Sequence, residues 1–414
     1  MISAVRGTRD ILPDQVERWQ RVEEVARRVC SRYGYYELRT PIIEREELFS
    51  KGTGESTDIV QKEMYAFDDK GGQRVTLRPE ATPSIVRAFV EHSLEQSLSV
   101  AKLFTLGPMF RYERPQKGRY RQFHQLNVEV FGVAEASLDA EVMEMACTLV
   151  SELGIDESEL VINSVGCPDC RPMFSEALLN ALGGDLSKLC GDCQRRAKTN
   201  PLRIFDCKVE ADQSTIDRLP HSTDYLCDAC RGHFEAVQRH LRLYDQPFRL
   251  SHRLVRGLDY YTRTTFELLS SKLGAQNALL GGGRYDGLVK RLGGPDRPGI
   301  GFAAGLERLV LALPDVNDQM VPGVFVAAIG SLAQDAVFVL ARALRAGGLR
   351  TLVDYEARSA KAQMKRANRA GVSHVVILGD DELATGEVTV KTMATGEQCK
   401  VARDKIVDVL LSAS

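Results

Sequence analysis

Gly281-Gly282-Gly283-Arg284-Tyr285-Asp286-Gly287, followed by Gly299-Ile300-Gly301-Phe302-Ala303-Ala304-Gly305-Leu306-Glu307-Arg308, carries the decisive reading of this chain. The glycine-rich stretch reads as strand running into a helix that opens at Gly305, with Arg308 on its first turn. Glycine lets a ligand lie flush against backbone. An arginine at a helix start adds a full charge to the partial positive end of the helix dipole, which suits a nucleotide phosphate. The spacing fits neither a Walker A loop nor a dinucleotide fingerprint, because no lysine–serine pair and no GxGxxG follows a strand here.

On the N-terminal side, residues 1 to about 160 alternate helical and strand patterns. Val16, Trp19, Val22, Val25, Ala26 and Val29 recur at helical spacing and predict a helix over Val16 to Tyr33. Pro41 to Glu44 reads as a strand, with a helix starting near Arg45. Met64 to Phe67 and Arg74 to Arg78 flank Asp68-Asp69-Lys70-Gly71-Gly72 and predict a hairpin. Ser84 to His92 reads as a helix. Lys102 to Tyr112 and Gln122 to Phe131 read as antiparallel strands joined by a strongly basic loop.

Residues about 165 to 245 differ in texture: cysteine-rich and helical in period, they read as an inserted subdomain. Strands are expected to resume at Arg253 to Arg256 and at Thr264 to Leu268. Pro314 to Pro322 reads as a linker, and beyond it the pattern becomes βαβαβ, a small α/β domain with a partly parallel sheet. Its helix from Ser359 is basic, with Lys361, Lys365, Arg366 and Arg369. The expected boundaries are 1–320 for the first domain and 322–414 for the second.

Composition bounds the function. A chain of 414 residues, 44% apolar and 27% charged, is ordinary globular material. A net charge of −2 excludes a general polyanion binder, so nucleic-acid contacts must come from local basic patches. No apolar run reaches the roughly 18 residues of a membrane helix. Met1 to Asp14 lacks a signal core or transit-peptide character, and the expectation is a soluble cytoplasmic protein with no membrane partner.

Seven of the ten cysteines lie between Cys167 and Cys230. Without a secretion signal, disulfides are not expected. Cys167/Cys170, Cys190/Cys193 and Cys227/Cys230 are each C-x-x-C, and 19 residues separate the first two pairs, a zinc-ribbon spacing. Thiolates so spaced can close a tetrahedral zinc site. Small buried thiols in a helical region account for the same pattern.

Three constellations carry chemistry. Arg111, Arg114, Lys117, Arg119 and Arg121 crowd one loop with Tyr112, Tyr120 and Phe123 interleaved, an arrangement able to hold phosphates, stack a base and touch a nucleic-acid end. Glu80, Thr82, Gln125 and Glu129 lie near strand ends, and a carboxylate, a hydroxyl and an amide that converge would bind an α-ammonium group. Arg256-Gly257-Leu258-Asp259-Tyr260-Tyr261 could pair a carboxylate and cap an aromatic ligand ring.

Together these pieces resemble the class II aminoacyl-tRNA synthetases. Arg111 before the basic loop and Gly305-Leu306-Glu307-Arg308 look like their second and third signature motifs, and Arg39-Thr40-Pro41-Ile42-Ile43-Glu44 looks like the first. Within that class the match is to the histidyl-tRNA synthetase family. It is carried by Leu254 to Glu267, Gly281 to Gly287, Arg114 to Gln125 and the opening Arg6-Gly7-Thr8-Arg9-Asp10. The resemblance implies a multidomain fold that mixes α+β and α/β parts. Its catalytic core is an antiparallel sheet flanked by helices, with a helical insertion and a C-terminal α/β anticodon-binding domain.

The resemblance also implies roles. Arg111 would hold the ATP α-phosphate and the reacting carboxylate, with Arg256 against the same two groups. Phe123 would stack on adenine, Arg308 would bind the γ-phosphate and Arg119 would assist. Glu80, Thr82 and Gln125 would bind the α-ammonium of L-histidine. Glu129 and Tyr261 would grip the imidazole nitrogens, and Tyr260 would line that wall. Arg114 and Gln116 would meet the acceptor end of tRNA-His, and the Ser359 helix the anticodon arm. Mg²⁺ would accompany ATP, and the first motif implies a homodimer. Relatives lacking most of the insertion cysteines remain active, so no metal ligand is assigned at the site. The alternative from the same fold is a histidine-binding regulatory subunit of ATP phosphoribosyltransferase. That group typically lacks the anticodon domain and the ATP-site arginines, whereas this chain keeps Arg111, Arg256, Arg308 and the tail. A binding module without chemistry would leave the pocket residues unexplained.

Overall fold

The computed structural model describes residues 2–55, 57–116, 118–183, 186–274, 277–314, 323–356 and 358–412. The expected linker from residue 315 onward and Lys117 of the basic loop lie outside them. The chain divides into two compact units, Met1–Pro314 and Asp315–Ser414.

In the first unit the strands are β1 (Tyr36–Glu37), β2 (Ile43–Arg45), β3 (Tyr65–Asp68), β4 (Arg74–Leu77), β5 (Ala101–Phe110), β6 (Gln122–Phe131), β7 (Ser158–Ser164), β8 (Arg249–Leu250), β9 (Thr262–Ser270), β10 (Ala278–Arg284) and β11 (Gly299–Gly305). Among the described residues they form an eight-stranded sheet of order β1-β5-β6-β11-β10-β9-β7-β8 and a three-stranded sheet of order β2-β4-β3. The inner strands from β5 to β7 pair antiparallel; only the short edge strands β1 and β8 pair parallel.

Strand alternation separates two faces. On β6, Leu126, Val128 and Val130 turn to one side, where they join Phe302, Phe266 and Leu268 in the main core. Helices Pro13–Arg32 and Ala136–Glu152 cover that side with Trp19, Val22, Val29, Met143 and Leu149. Pro13 opens its helix at the first turn, where its missing N–H costs nothing. The other β6 series, Phe123, Gln125, Asn127 and Glu129, stands opposite Gly301, Ala303 and Gly305 of β11 and faces a cavity.

A buried ionic cluster lies in the core. Arg284, fully buried, donates to both Asp139 (2.7 and 2.9 Å) and Asp286 (2.9 Å), and His233 pairs with Asp139 at 2.8 Å. Burial alone would raise the Asp139 carboxyl, but the His233 bond and the Arg284 charge outweigh it and hold it low. Arg284 of the glycine-rich stretch is thus a structural residue.

Two expectations change here. Arg253 to Arg256 is not a strand. Leu254 N donates to Ser251 O, and the Asn163 amide donates to Leu254 O (2.9 Å), so this segment turns and spends its carbonyl on a side chain instead of a ladder. The cysteine pairs also group differently. Cys167 and Cys170 meet Cys227 and Cys230, while Cys190 and Cys193 meet Cys207 and Asp212. The insertion packs the start of helix Arg171–Ala181 against that of Asp228–Leu243, and this proximity has no counterpart in linear spacing.

The second unit carries β12 (Gly323–Ile329), β13 (Arg350–Val353), β14 (His374–Gly379), β15 (Glu387–Thr392) and β16 (Gln398–Ala402), in the order β13-β12-β14-β15-β16. The first three are parallel and the last two antiparallel, the expected mixed sheet. Helix Ala360–Arg369 buries Gln363 and Ala367 and leaves Lys361, Lys365, Arg366 and Arg369 exposed. No helix among the described residues is long and apolar enough to cross a membrane.

Candidate active site

The cavity above β6, β11, β10 and β9 measures about 870 Å³. Glycines make its floor. A Cβ on Gly281 would come within 2.5 Å of the Arg256 guanidinium, and one on Gly301 would collide with the Glu129 carboxylate. The glycine stretch therefore leaves room for two charged side chains of the pocket as well as for a ligand.

At one end sit buried carboxylates. Glu80 accepts from Thr53 Oγ1 (2.5 Å) and Tyr260 Oη (3.0 Å). Glu129 accepts from Thr82 Oγ1 (2.6 Å) and from Tyr285 Oη. Burial raises both carboxyls. For Glu80, Thr53, Arg111 and Tyr260 oppose the rise. Glu129 is pushed up to about 8, because its bonds to Thr82 and Tyr285 only partly offset burial and Glu80 repels it. The Tyr260 and Tyr261 rings lie 4.7 Å apart, and burial lifts both phenols, so they remain neutral donors. Gln125 Oε1 and Asn127 Oδ1 are buried acceptors with no hydrogen-bond partner among the described residues. A buried acceptor without a donor costs about 1–3 kcal/mol, so a cationic donor between Glu80 and Gln125 would relieve it.

At the other end arginines converge. Arg256 pairs with Glu267, which faces Gly281 across β9 and β10. Arg111 donates to Pro79 O (2.8 Å), and its guanidinium lies 5.3 Å from the Phe123 ring centre. Arg119 pairs with Glu113 at 3.2 Å. Arg308 donates to Ala278 O (2.7 Å), and burial together with the like charge of Arg119 lowers its pKa. Such a cluster gains most from an anion. Helix Leu306–Ala312 has only seven residues, so the positive charge here comes chiefly from Arg308. Arg114 and Gln116 are exposed on the loop that Gln116 and Arg119 close by mutual backbone bonds of 2.9 and 3.1 Å.

All the expected histidine and ATP residues, from Glu80 to Arg308, line this one cavity, while Arg114 and Gln116 do not. The Thr82 hydroxyl donates to Glu129, the second buried carboxylate of the carboxylate end. Tyr285, Glu267 and Asn127 also line the cavity, beyond the residues that the sequence singles out. Tyr285 lies inside the glycine-rich stretch. Asn127 stood on the same strand face as Gln125 and Glu129, and that period of two was the available signal.

Comparisons with known proteins identify the family. Residues 7–309 match the model of the family described as histidyl-tRNA synthetase, and residues 323–413 match the anticodon binding domain. The histidine–tRNA ligase of Geobacter metallireducens is 51% identical over 405 residues, 98% of each chain. That of Halothermothrix orenii is 49% identical over 413 residues, again 98% of each. The crystal structure of apo S. aureus histidyl-tRNA synthetase superposes with a TM-score of 0.84 at 36% identity, covering 99% of both chains. With a family model spanning the whole sheet and pocket, and relatives near half identical from end to end, this chain belongs to the histidyl-tRNA synthetase family.

Proposed function

We propose that the cavity binds L-histidine at its carboxylate end and ATP at its arginine end, with Arg256 and Arg111 at the reacting phosphorus. The enzyme is a histidine–tRNA ligase: it activates histidine with ATP to histidyl-adenylate and pyrophosphate, then transfers histidine to the 3′ end of its tRNA. The observation that carries the residue assignment is the polarity of one cavity, with buried acceptors at one end and four arginines at the other. The α-ammonium fits between Glu80 and the unpartnered Gln125 Oε1. Glu129 would take one imidazole nitrogen and Tyr261 the other, with Tyr260 and Tyr285 closing the wall. Polar groups left unpaired by an apolar isostere would reject it.

The histidine carboxylate would attack the α-phosphorus in line, so positioning and charge neutralisation dominate. Arg256 and Arg111 would neutralise the charge that develops there. Arg308 and Arg119 would hold the outer phosphates, and Phe123 would stack on adenine. Mg²⁺ would enter with ATP at the phosphate end, where Glu267 and Glu113 line the cavity. Glu267 would be its protein ligand beside phosphate oxygens, and the ion would offset negative charge on the leaving group. The regulatory-subunit alternative is not favoured, since the full-length relatives near 50% identity are ligases.

Exposed Arg114 and Gln116 would meet the acceptor end of the tRNA, and the exposed basic helix Ala360–Arg369 its anticodon arm. Arg114→Ala is expected to slow tRNA charging at least tenfold and leave ATP–pyrophosphate exchange within twofold. Equal losses in both assays would show that Arg114 serves the adenylation pocket instead. A homodimer through the Arg39–Glu44 segment is supported by the exposed apolar side chains of Ile42 and Ile43 within it and of Phe67 and Tyr36 elsewhere in the same unit. Sedimentation is expected to give twice the chain mass, and a monomer for Ile43→Asp; a monomeric unsubstituted protein would contradict the dimer.

A further inference from the structure

We propose that the insertion binds two zinc ions, one held by Cys167, Cys170, Cys227 and Cys230, the other by Cys190, Cys193, Cys207 and Asp212. In each group the four ligand atoms lie within 4.8 Å of one another. Cys167 Sγ stands 3.6 Å from Cys170 Sγ and 4.0 Å from Cys227 Sγ, and Cys190 Sγ stands 3.7 Å from Cys207 Sγ. A disulfide needs about 2.05 Å. The edge of a tetrahedron with zinc–sulfur bonds of about 2.3 Å is about 3.8 Å. These spacings match the second figure and not the first, and all seven thiols are free.

The surroundings suit thiolates. Cys227 N donates to Cys170 Sγ (3.2 Å) and Val209 N to Cys207 Sγ (3.4 Å), bonds that stabilise sulfur carrying negative charge. Asp212, almost wholly buried, is held by two bonds from Cys190 N (3.1 and 3.2 Å), and its Oδ2 lies 3.3 Å from Cys207 Sγ. A carboxylate completing a three-thiolate set is acceptable to zinc, whose sites of this kind are closed and structural. All three C-x-x-C pairs lie at helix starts, at Arg171, Gly191 and Asp228, so the second cysteine of each sits where the first turn fixes it. Thiol protons leave as the metal binds, so the ion's binding free energy becomes folding free energy of the insertion.

Both centres adjoin the cavity. Cys207 separates Asp206 and Lys208, which line the cavity rim beside Arg203. Next to the other centre, Arg171 donates to the backbone carbonyl of Tyr261. Zinc therefore pins the insertion where it forms part of the rim.

The test is metal analysis by inductively coupled plasma mass spectrometry on the full-length protein purified without chelators. Two zinc ions per chain are expected. Cys170→Ser and Cys193→Ser should each lose one, and Cys399→Ser, at an exposed thiol in the other unit, should lose none. Should the cysteine variants fail to fold, cobalt substitution of the unsubstituted protein provides the second measurement, with thiolate-to-cobalt charge-transfer absorption expected at two equivalents. A count of zero or one, or two ions that survive both substitutions, overturns the proposal. So does cobalt binding without charge-transfer bands.

Discussion

Arg256→Ala is expected to lower histidine-dependent ATP–pyrophosphate exchange by about 10³-fold in kcat, with a much smaller change in the KM for ATP. Removing one preorganised group that meets developing charge costs about 10²–10³-fold in comparable sites, and a full cation lies at the upper end. The fold should tolerate the change, because Glu267, the partner left behind, is a partly exposed rim carboxylate that water can reach. A second variant tests the geometry without touching the arginine. Gly281→Ala places a Cβ 2.5 Å from Arg256 Nη1 and 2.8 Å from Cζ, so the guanidinium must move. Misplacement by about 1 Å costs on the order of 10²-fold in rate. If Arg256→Ala keeps more than a tenth of the exchange rate, Arg256 is not at the reacting phosphorus.

Glu129→Gln is expected to raise the KM for histidine about 10²-fold, since a charge-assisted hydrogen bond to the ring and its discrimination are lost together. The pH dependence gives a sharper signature. In the ligand-free pocket burial holds the Glu129 carboxyl near 8, so at pH 7 most of it is protonated. A charge-assisted bond to the ring N–H requires the carboxylate, so binding in that form releases the Glu129 proton to solvent. The KM for histidine should fall as pH rises from 7 to 8 and level off above, whereas Glu129→Gln should show no such fall. Stability runs the other way. A carboxyl whose folded pKa lies above its unfolded value contributes most below the unfolded value, about 4.3, and loses that contribution as pH rises to about 8. Glu129→Gln should therefore melt higher than the unsubstituted protein at pH 8, with the difference shrinking towards pH 5. A variant that loses stability equally at both pH values would mark Glu129 as a packing residue only.

Much of this site was legible in the sequence because one strand carries so much of it. Phe123, Gln125 and Glu129 share a face of β6 by simple alternation, and the glycines opposite them announce close approach before any coordinate is known. The mixed sheet of the tail was legible for the same reason: its buried strands and helices keep their own periods. What stayed hidden depends on contacts between distant segments. The bond from Tyr285 to Glu129 joins positions 156 residues apart, and no local pattern encodes it. The cysteine grouping is hidden likewise, since Cys170 meets Cys227 across an intervening domain's worth of helices. Arg253 to Arg256 reads as strand by its residues, yet Asn163 turns it, and a side-chain bond from 91 residues away outranks propensity.

ATP–pyrophosphate exchange by the purified full-length protein, run with histidine and with each other standard amino acid in turn, reads out whether this one pocket adenylates histidine. Exchange with histidine is expected at least 10³-fold above every other amino acid, because both ends of the pocket must be satisfied at once. Exchange absent with histidine, or supported equally by an amino acid without an imidazole, would contradict the assignment of Glu129, Tyr261 and the arginine cluster to one adenylating site.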